Sequence, residues 1–77
     1  MHDEMAMIAD RVRGVLAEKR KKQDALASVL GMSRQSANAR LNGRVPFTGA
    51  ELLRLSIALG VPISRFFPPA EPVRRAA

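Results

Sequence analysis

The sequence predicts an all-α domain, a compact bundle of about five short helices, and three observations predict it. Apolar residues recur at helical spacing along the chain, glycines follow the apolar runs where helices stop, and no segment alternates apolar and polar residues as a half-buried strand does. With 77 residues and no repeat, there is room for one small core. The domain is expected to occupy residues 1–69, with residues 70–77 a flexible C-terminal tail.

Ile8, Val12, Val15 and Leu16 stand at i, i+4, i+7 and i+8, one apolar stripe of a first helix running from about Asp3 to Arg20. A short second helix is expected over Gln23 to Leu30, with Leu26, Ala27 and Leu30 inward and Gly31 supplying a left-handed stop. Ser33 is the expected N-cap of a third helix over Arg34 to Asn42, ended by Asn42-Gly43. Thr48, followed three residues later by Glu51, forms a capping-box pattern that opens a fourth, the most apolar segment of the chain. It carries Leu52, Leu53, Leu55, Ile57, Ala58 and Leu59 and ends at Gly60. Ile63 to Phe67 adds one further turn before Pro68 and Pro69 end the folded part.

Composition excludes several functions. There is no cysteine, and the single histidine, His2, adjoins the first methionine, so neither a metal site nor a cofactor is expected. Catalysis lacks its parts for the same reason, since no pair of carboxylates converges in a cleft. No apolar run approaches the roughly 20 residues that span a bilayer. Asp3 and Glu4 stand where a signal peptide carries basic residues, so the cytoplasm is the expected location, with no membrane partner and no small-molecule substrate.

Charge points to a polyanion. Thirteen Lys and Arg against seven Asp and Glu give a net charge of +6. The stretch from Lys19 to Arg44 holds seven of the basic residues (Lys19, Arg20, Lys21, Lys22, Arg34, Arg40 and Arg44) and one acid, Asp24, so it accounts for the whole excess. Tyrosine and tryptophan are absent and phenylalanine occurs only at Phe47, Phe66 and Phe67. That argues against single-stranded bases, which stack on exposed aromatic rings.

Gln23 to Leu41 carries the functional signal. Two short helices joined by so brief a turn cross steeply enough for the second to protrude. Ala27 is small where the helix backbones meet, Met32 plugs the turn, and Ala37 with Leu41 anchors the third helix from beneath. At 100° per residue, that anchoring turns Gln35, Ala39 and Asn42 outward, places Asn38 on the flank and projects Arg34 from the first turn. Arginine matches the guanine edge, and asparagine or glutamine the adenine edge, while Ala39 leaves space or touches a thymine methyl. Arg34, Gln35, Asn38, Ala39 and Asn42 are therefore the expected base-reading residues. A merely solvated polar face is the bland alternative.

Gln23 through Gly43, with Ser33-Arg34 opening the third helix and Leu52 to Phe67 following, resembles the Cro- and phage-repressor-type (XRE-type) helix-turn-helix family. The resemblance covers about Ile8 to Phe67 and implies a lambda-repressor-like DNA-binding domain. The stretch GRVPFTGAEL, Gly43 to Leu52, resembles a variant found among actinobacterial and actinophage members. The resemblance implies that Gln23 holds a DNA phosphate and that Gly43 and Arg44 meet the sugar-phosphate chain. Lys22 adds a full charge beside a helix N-terminus suited to phosphate. Ser33, Ser36 and Arg40 complete the expected backbone contacts, a structural role at the core rim being the alternative for Arg40, and a solvated charge run the alternative for Lys19–Lys22.

Three departures from the family pattern are informative, one of them Arg40 in a place that relatives usually fill with an apolar residue. Leu16 and Leu41 stand where many relatives bury an Arg–Glu pair, an exchange that is often neutral or stabilising, and they are expected to touch. Arg20-Lys21 replaces the usual glycine and apolar residue between the first two helices.

The implied function is a sequence-specific double-stranded DNA-binding repressor of the phage Cro or immunity type, acting at an operator in a bacterial or phage-infected cell. Homodimer and monomer both stay open, with Phe66, Phe67 and the proline-rich end either pairing copies or covering the core. The alternatives are the DNA-binding antitoxin of a toxin–antitoxin pair, and a basic helical module for protein or membrane surfaces.

Overall fold

The Asp3 carboxylate accepts from the Ala6 N–H (3.1 Å) and so starts α1 (Glu4–Glu18) in the computed structural model, which describes residues 3–68. There follow α2 (Gln23–Leu30), α3 (Arg34–Leu41), α4 (Gly49–Leu59) and a 3-10 turn at Ile63–Phe66. The chain is all-α, and the fifth helical segment is this single tight turn. The tail expected at residues 70–77, and His2 and Pro69, lie outside the described residues.

The caps explain the boundaries. The Ser33 hydroxyl accepts from the Ser36 N–H (3.0 Å) to open α3. Thr48 and Glu51 form a reciprocal capping box at α4, the Thr48 hydroxyl accepting from the Glu51 N–H at 3.1 Å and the Glu51 carboxylate from the Thr48 N–H at 3.0 Å. All four α-helices stop in one way: a left-handed residue lets the next N–H reach back to a carbonyl five residues earlier. Those bonds are Lys21 to Leu16, Met32 to Ala27, Arg44 to Ala39 and Val61 to Ser56, at 2.8–3.0 Å. Glycine fills the left-handed position after α2, α3 and α4, but after α1 it is Arg20, at φ 58°. This halts α1 at Glu18, two residues before the expected end. Asn42 lies just beyond α3 rather than within it, already turning toward Gly43.

One buried cluster joins all these elements. Leu16, Leu26, Ala27, Leu30, Ala37 and Leu41 belong to it with Val12, Val15, Leu52, Leu55, Val61 and Phe66, while Ile8, Met32, Phe47 and Leu59 are half-buried at its margin. Each buried leucine contributes about 1.5–3 kcal/mol. Leu16 and Leu41 are both inside, so the α1–α3 seam is apolar at that level. Phe66 is wholly buried, which assigns it to covering the core, whereas Phe67 remains exposed. α4 buries only Leu52, Leu55 and Ser56, and Leu53 and Ile57 face outward, 52% and 73% exposed.

Polar ties close the margins. Arg13 donates to the Leu41 carbonyl at the end of α3 and to Asp10 on its own helix. Arg65, in the 3-10 turn, donates to Glu18 at the end of α1 (2.6 Å). That hydrogen bond and the Arg65 charge hold the Glu18 carboxyl below its ordinary range. Among the described residues no helix is long and apolar enough to cross a membrane, and no cluster of His, Cys, Asp or Glu could hold a metal ion.

Candidate nucleic-acid interface

α3 rests on two side chains, Ala37 (0% exposed) and Leu41 (3%). The remaining six of its residues are Arg34, Gln35, Ser36, Asn38, Ala39 and Arg40, and their exposure follows from that seat. Arg34 and Gln35 are exposed, as is Asn42 just past the helix; Ser36, Asn38, Ala39 and Arg40 are half-buried on the flanks. The outward side therefore combines a guanidinium and two primary amides with no acid on α3 itself. Ala39 is less open than rotation alone implies, because the Arg44 and Val45 N–H groups fold back onto its carbonyl at 3.0 and 3.3 Å.

α2 reaches across to this side through its first turn. The Gln23 amide donates to the Asn38 side-chain oxygen at 3.0 Å, joining the residue expected on phosphate to one expected on a base edge. The next residue, Asp24, sets its carboxylate 2.8 Å from Arg34 Nε. Sequence reasoning missed this ion pair. Its only signal was a lone acid in a basic stretch, and nothing in the spacing ties position 24 to position 34.

Arg40, expected on the DNA backbone or at the core rim, is engaged within the fold. Its Nε donates to Glu51 at 3.0 Å and its Nη1 to the Ser36 carbonyl at 3.2 Å, with the two side chains of the ion pair 18% and 14% exposed. The capping-box carboxylate thus also binds Arg40, tying it to the core rim. Burial pushes the Glu51 carboxyl up, but the Thr48 N–H, the Arg40 hydrogen bond and the charges of Arg40 and Arg54 outweigh it and hold it below the ordinary glutamate range.

Four ion pairs in the described residues take Arg13, Arg34, Arg40 and Arg65. Lys19, Arg20, Lys21, Lys22, Arg44, Arg11 and Arg54 have no acidic partner there, and all seven are exposed. Five of them lie at two places, the α1–α2 loop leading into Gln23 and the turn after α3, so uncompensated positive charge flanks the amide-bearing side. Ser33, the cap of α3, is exposed. Gly43 anchors the second place: at φ 77°, its α-carbon faces α1 so closely that an added Cβ would lie 3.4 Å from Ala6 Cα. Such a surface, cationic at both ends and amide-rich between, suits a duplex, whose phosphates flank a groove of hydrogen-bonding edges.

Comparison with known proteins agrees. The sequence-family profile described as "Helix-turn-helix" matches residues 14–66. No curated protein is similar enough in sequence to match. Among solved structures, the fold is similar to the crystal structure of the restriction-modification controller protein C.AhdI from Aeromonas hydrophila. The TM-score is 0.76 at 21% identity, over 86% of this chain and 100% of that one. This likeness is one of fold, the lambda-repressor-like arrangement of four helices and a closing turn.

Proposed function

The chain belongs to the helix-turn-helix family of DNA-binding transcriptional regulators, which are not enzymes, and from that premise we propose a sequence-specific repressor that reads the major groove with α3. Residues 1–69 form its DNA-binding domain, acting in the cytoplasm of a bacterial or phage-infected cell. Arg34, Gln35, Asn38 and Asn42 meet base edges, with Ala39 beside them. Lys22, Gln23, Ser33, Ser36 and Arg44 meet the phosphates. The resemblance of the Gly43–Leu52 stretch to actinobacterial and actinophage sequences is compatible with a phage Cro or immunity type of repressor.

One observation carries this reading. With Ala37 and Leu41 buried, Arg34 and Gln35 of α3 and Asn42 just past it face solvent, with the unpaired Lys19–Lys22 run on one side and Arg44 on the other. Repression would follow from occupancy of an operator that polymerase must cross. The outward Leu53 and Ile57, one turn apart on α4, favour a homodimer. An isologous pairing that covers them would present two α3 helices to half-sites about one helical turn apart.

The test is selection of preferred sites from random duplexes, with the mass of the complex measured. Palindromic sites and a doubled mass are expected. Gln35→Ala and Asn38→Ala should each cost roughly 1–3 kcal/mol on the selected site and relax its sequence. Lys22→Ala should weaken binding to every duplex and lower the salt slope by about one unit. An unrelaxed preference in both amide variants removes α3 as the reading element.

A further inference from the structure

Asp24 is the one acid within the basic stretch, and neither helix stability nor general affinity accounts for its pairing with Arg34. Its ion pair with Arg34 is largely solvent-exposed, the side chains being 75% and 69% accessible, so it adds little to folding. Under the DNA-binding reading, a carboxylate in the first turn of α2, beside Gln23, opposes the phosphates that turn is expected to approach. An acid there favours the α2 dipole, but that benefit needs no arginine partner.

The contact geometry indicates what the pair does. Asp24 lies against Nε, the inner nitrogen of the guanidinium, at 2.8 Å, and among the described residues Arg34 has no other protein acceptor. The contact is an ion pair without a hydrogen bond, so the carboxylate biases a long side chain by charge alone, and it does so from beside Nε rather than from the tip. The terminal Nη1–Nη2 edge stays available, and that edge matches the O6 and N7 acceptors of guanine end-on. We propose that Asp24 is a positioning residue that aims Arg34 at a guanine, trading general DNA affinity for discrimination at one base pair.

This inference rests on the proposed reading of α3, and the experiment separates the two. Wild type, Asp24→Asn, Arg34→Ala and the double variant are titrated with the selected duplex, with that duplex altered one base pair at a time, with 7-deazaguanine at the position Arg34 controls, and with random duplex. Asp24→Asn is expected to tighten binding to random duplex. It should also lower discrimination at a single guanine roughly three- to tenfold, a size common for coupled neighbours. In the Arg34→Ala background the same substitution should leave base preference unchanged, and 7-deazaguanine should reproduce the loss in wild type. Melting of Asp24→Asn should stay within about 5 °C of wild type, since the pair is exposed. Arg34→Ala relaxing one position while Asp24→Asn changes affinity for all duplexes by one common factor overturns the positioning role and leaves the function intact. Absence of any preferred sequence overturns both.

Discussion

Arg20 holds the left-handed backbone position that ends α1, at φ 58°, where the other three helices use glycine. A residue with a Cβ is disfavoured there by about 1–2 kcal/mol. Replacing it by glycine removes that cost but gives the unfolded chain more freedom, worth about 0.5–1 kcal/mol in the opposite direction. Arg20→Gly is therefore expected to stabilise the fold by about 0.5–1 kcal/mol, which for a domain of this size raises Tm by about 2–8 °C. Two-state thermal melts followed by circular dichroism measure it. Arg20→Ala is the control, because it removes the same charge from the Lys19–Lys22 run yet keeps the Cβ. Glycine should exceed alanine, and equal melting temperatures in the two variants would refute the argument from backbone strain. Both variants should bind duplex more weakly than wild type, with a salt slope smaller by up to about one unit, since one exposed cation is gone.

Three further outcomes follow from the packing. Leu16→Arg puts an unpaired charge into the α1–α3 seam and should cost about 3–5 kcal/mol, partly restored by adding Leu41→Glu; an unchanged Tm rules out the seam. Gly43→Ala should cost about 1–2 kcal/mol, because φ 77° disfavours any side chain while the new methyl would make only ordinary contact with Ala6, with urea midpoints as the measure. Glu51→Gln should weaken the cap and leave Arg40 without its charged partner, a loss of about 1–3 kcal/mol at neutral pH. The folded Glu51 carboxyl lies below its unfolded value, so its contribution is present above the unfolded pKa of about 4.3 and fades as pH falls through the folded one. Melting temperatures of wild type and Glu51→Gln should thus converge as the pH is lowered below the unfolded carboxylate range, and parallel curves would exclude the charged Glu51.

Local chemistry was readable from the sequence, and contacts between helices were not. Thr48 and Glu51, Ser33 and Gly31 are signals carried within three residues of one another, so the helix ends they mark appear where expected. The end of α1 does not, because an arginine in a glycine position carries no sequence sign of its backbone angle. On α4, six apolar residues look alike in sequence, yet a single face of the helix meets the core, leaving Leu53 and Ile57 outside. In the site, exposure of Arg34, Gln35 and Asn42 follows from the spacing of Ala37 and Leu41. The partners of Arg34, Asn38 and Arg40 are ten to fifteen positions away on other helices, and only folding brings them together.

Those cross-helix ties matter because α3 has so little else to hold it. Eight residues form no stable helix alone, and two buried side chains are a narrow seat for a rod that must present side chains to a groove with sub-ångström tolerance. Arg13 fixes its final carbonyl, Arg40 and Glu51 fix one flank, and Gln23 fixes the other through Asn38. The outward positions divide accordingly. Gln35 and Asn42 make no side-chain bond within the described residues, so the fold places no demand on their identity beyond being polar and compact. Asn38 and Arg40 are part of what holds the helix still. On the proposed reading, change of sequence preference without loss of fold is therefore open at Gln35 and Asn42, whereas substitution at Asn38 would also loosen the hold of Gln23 on α3.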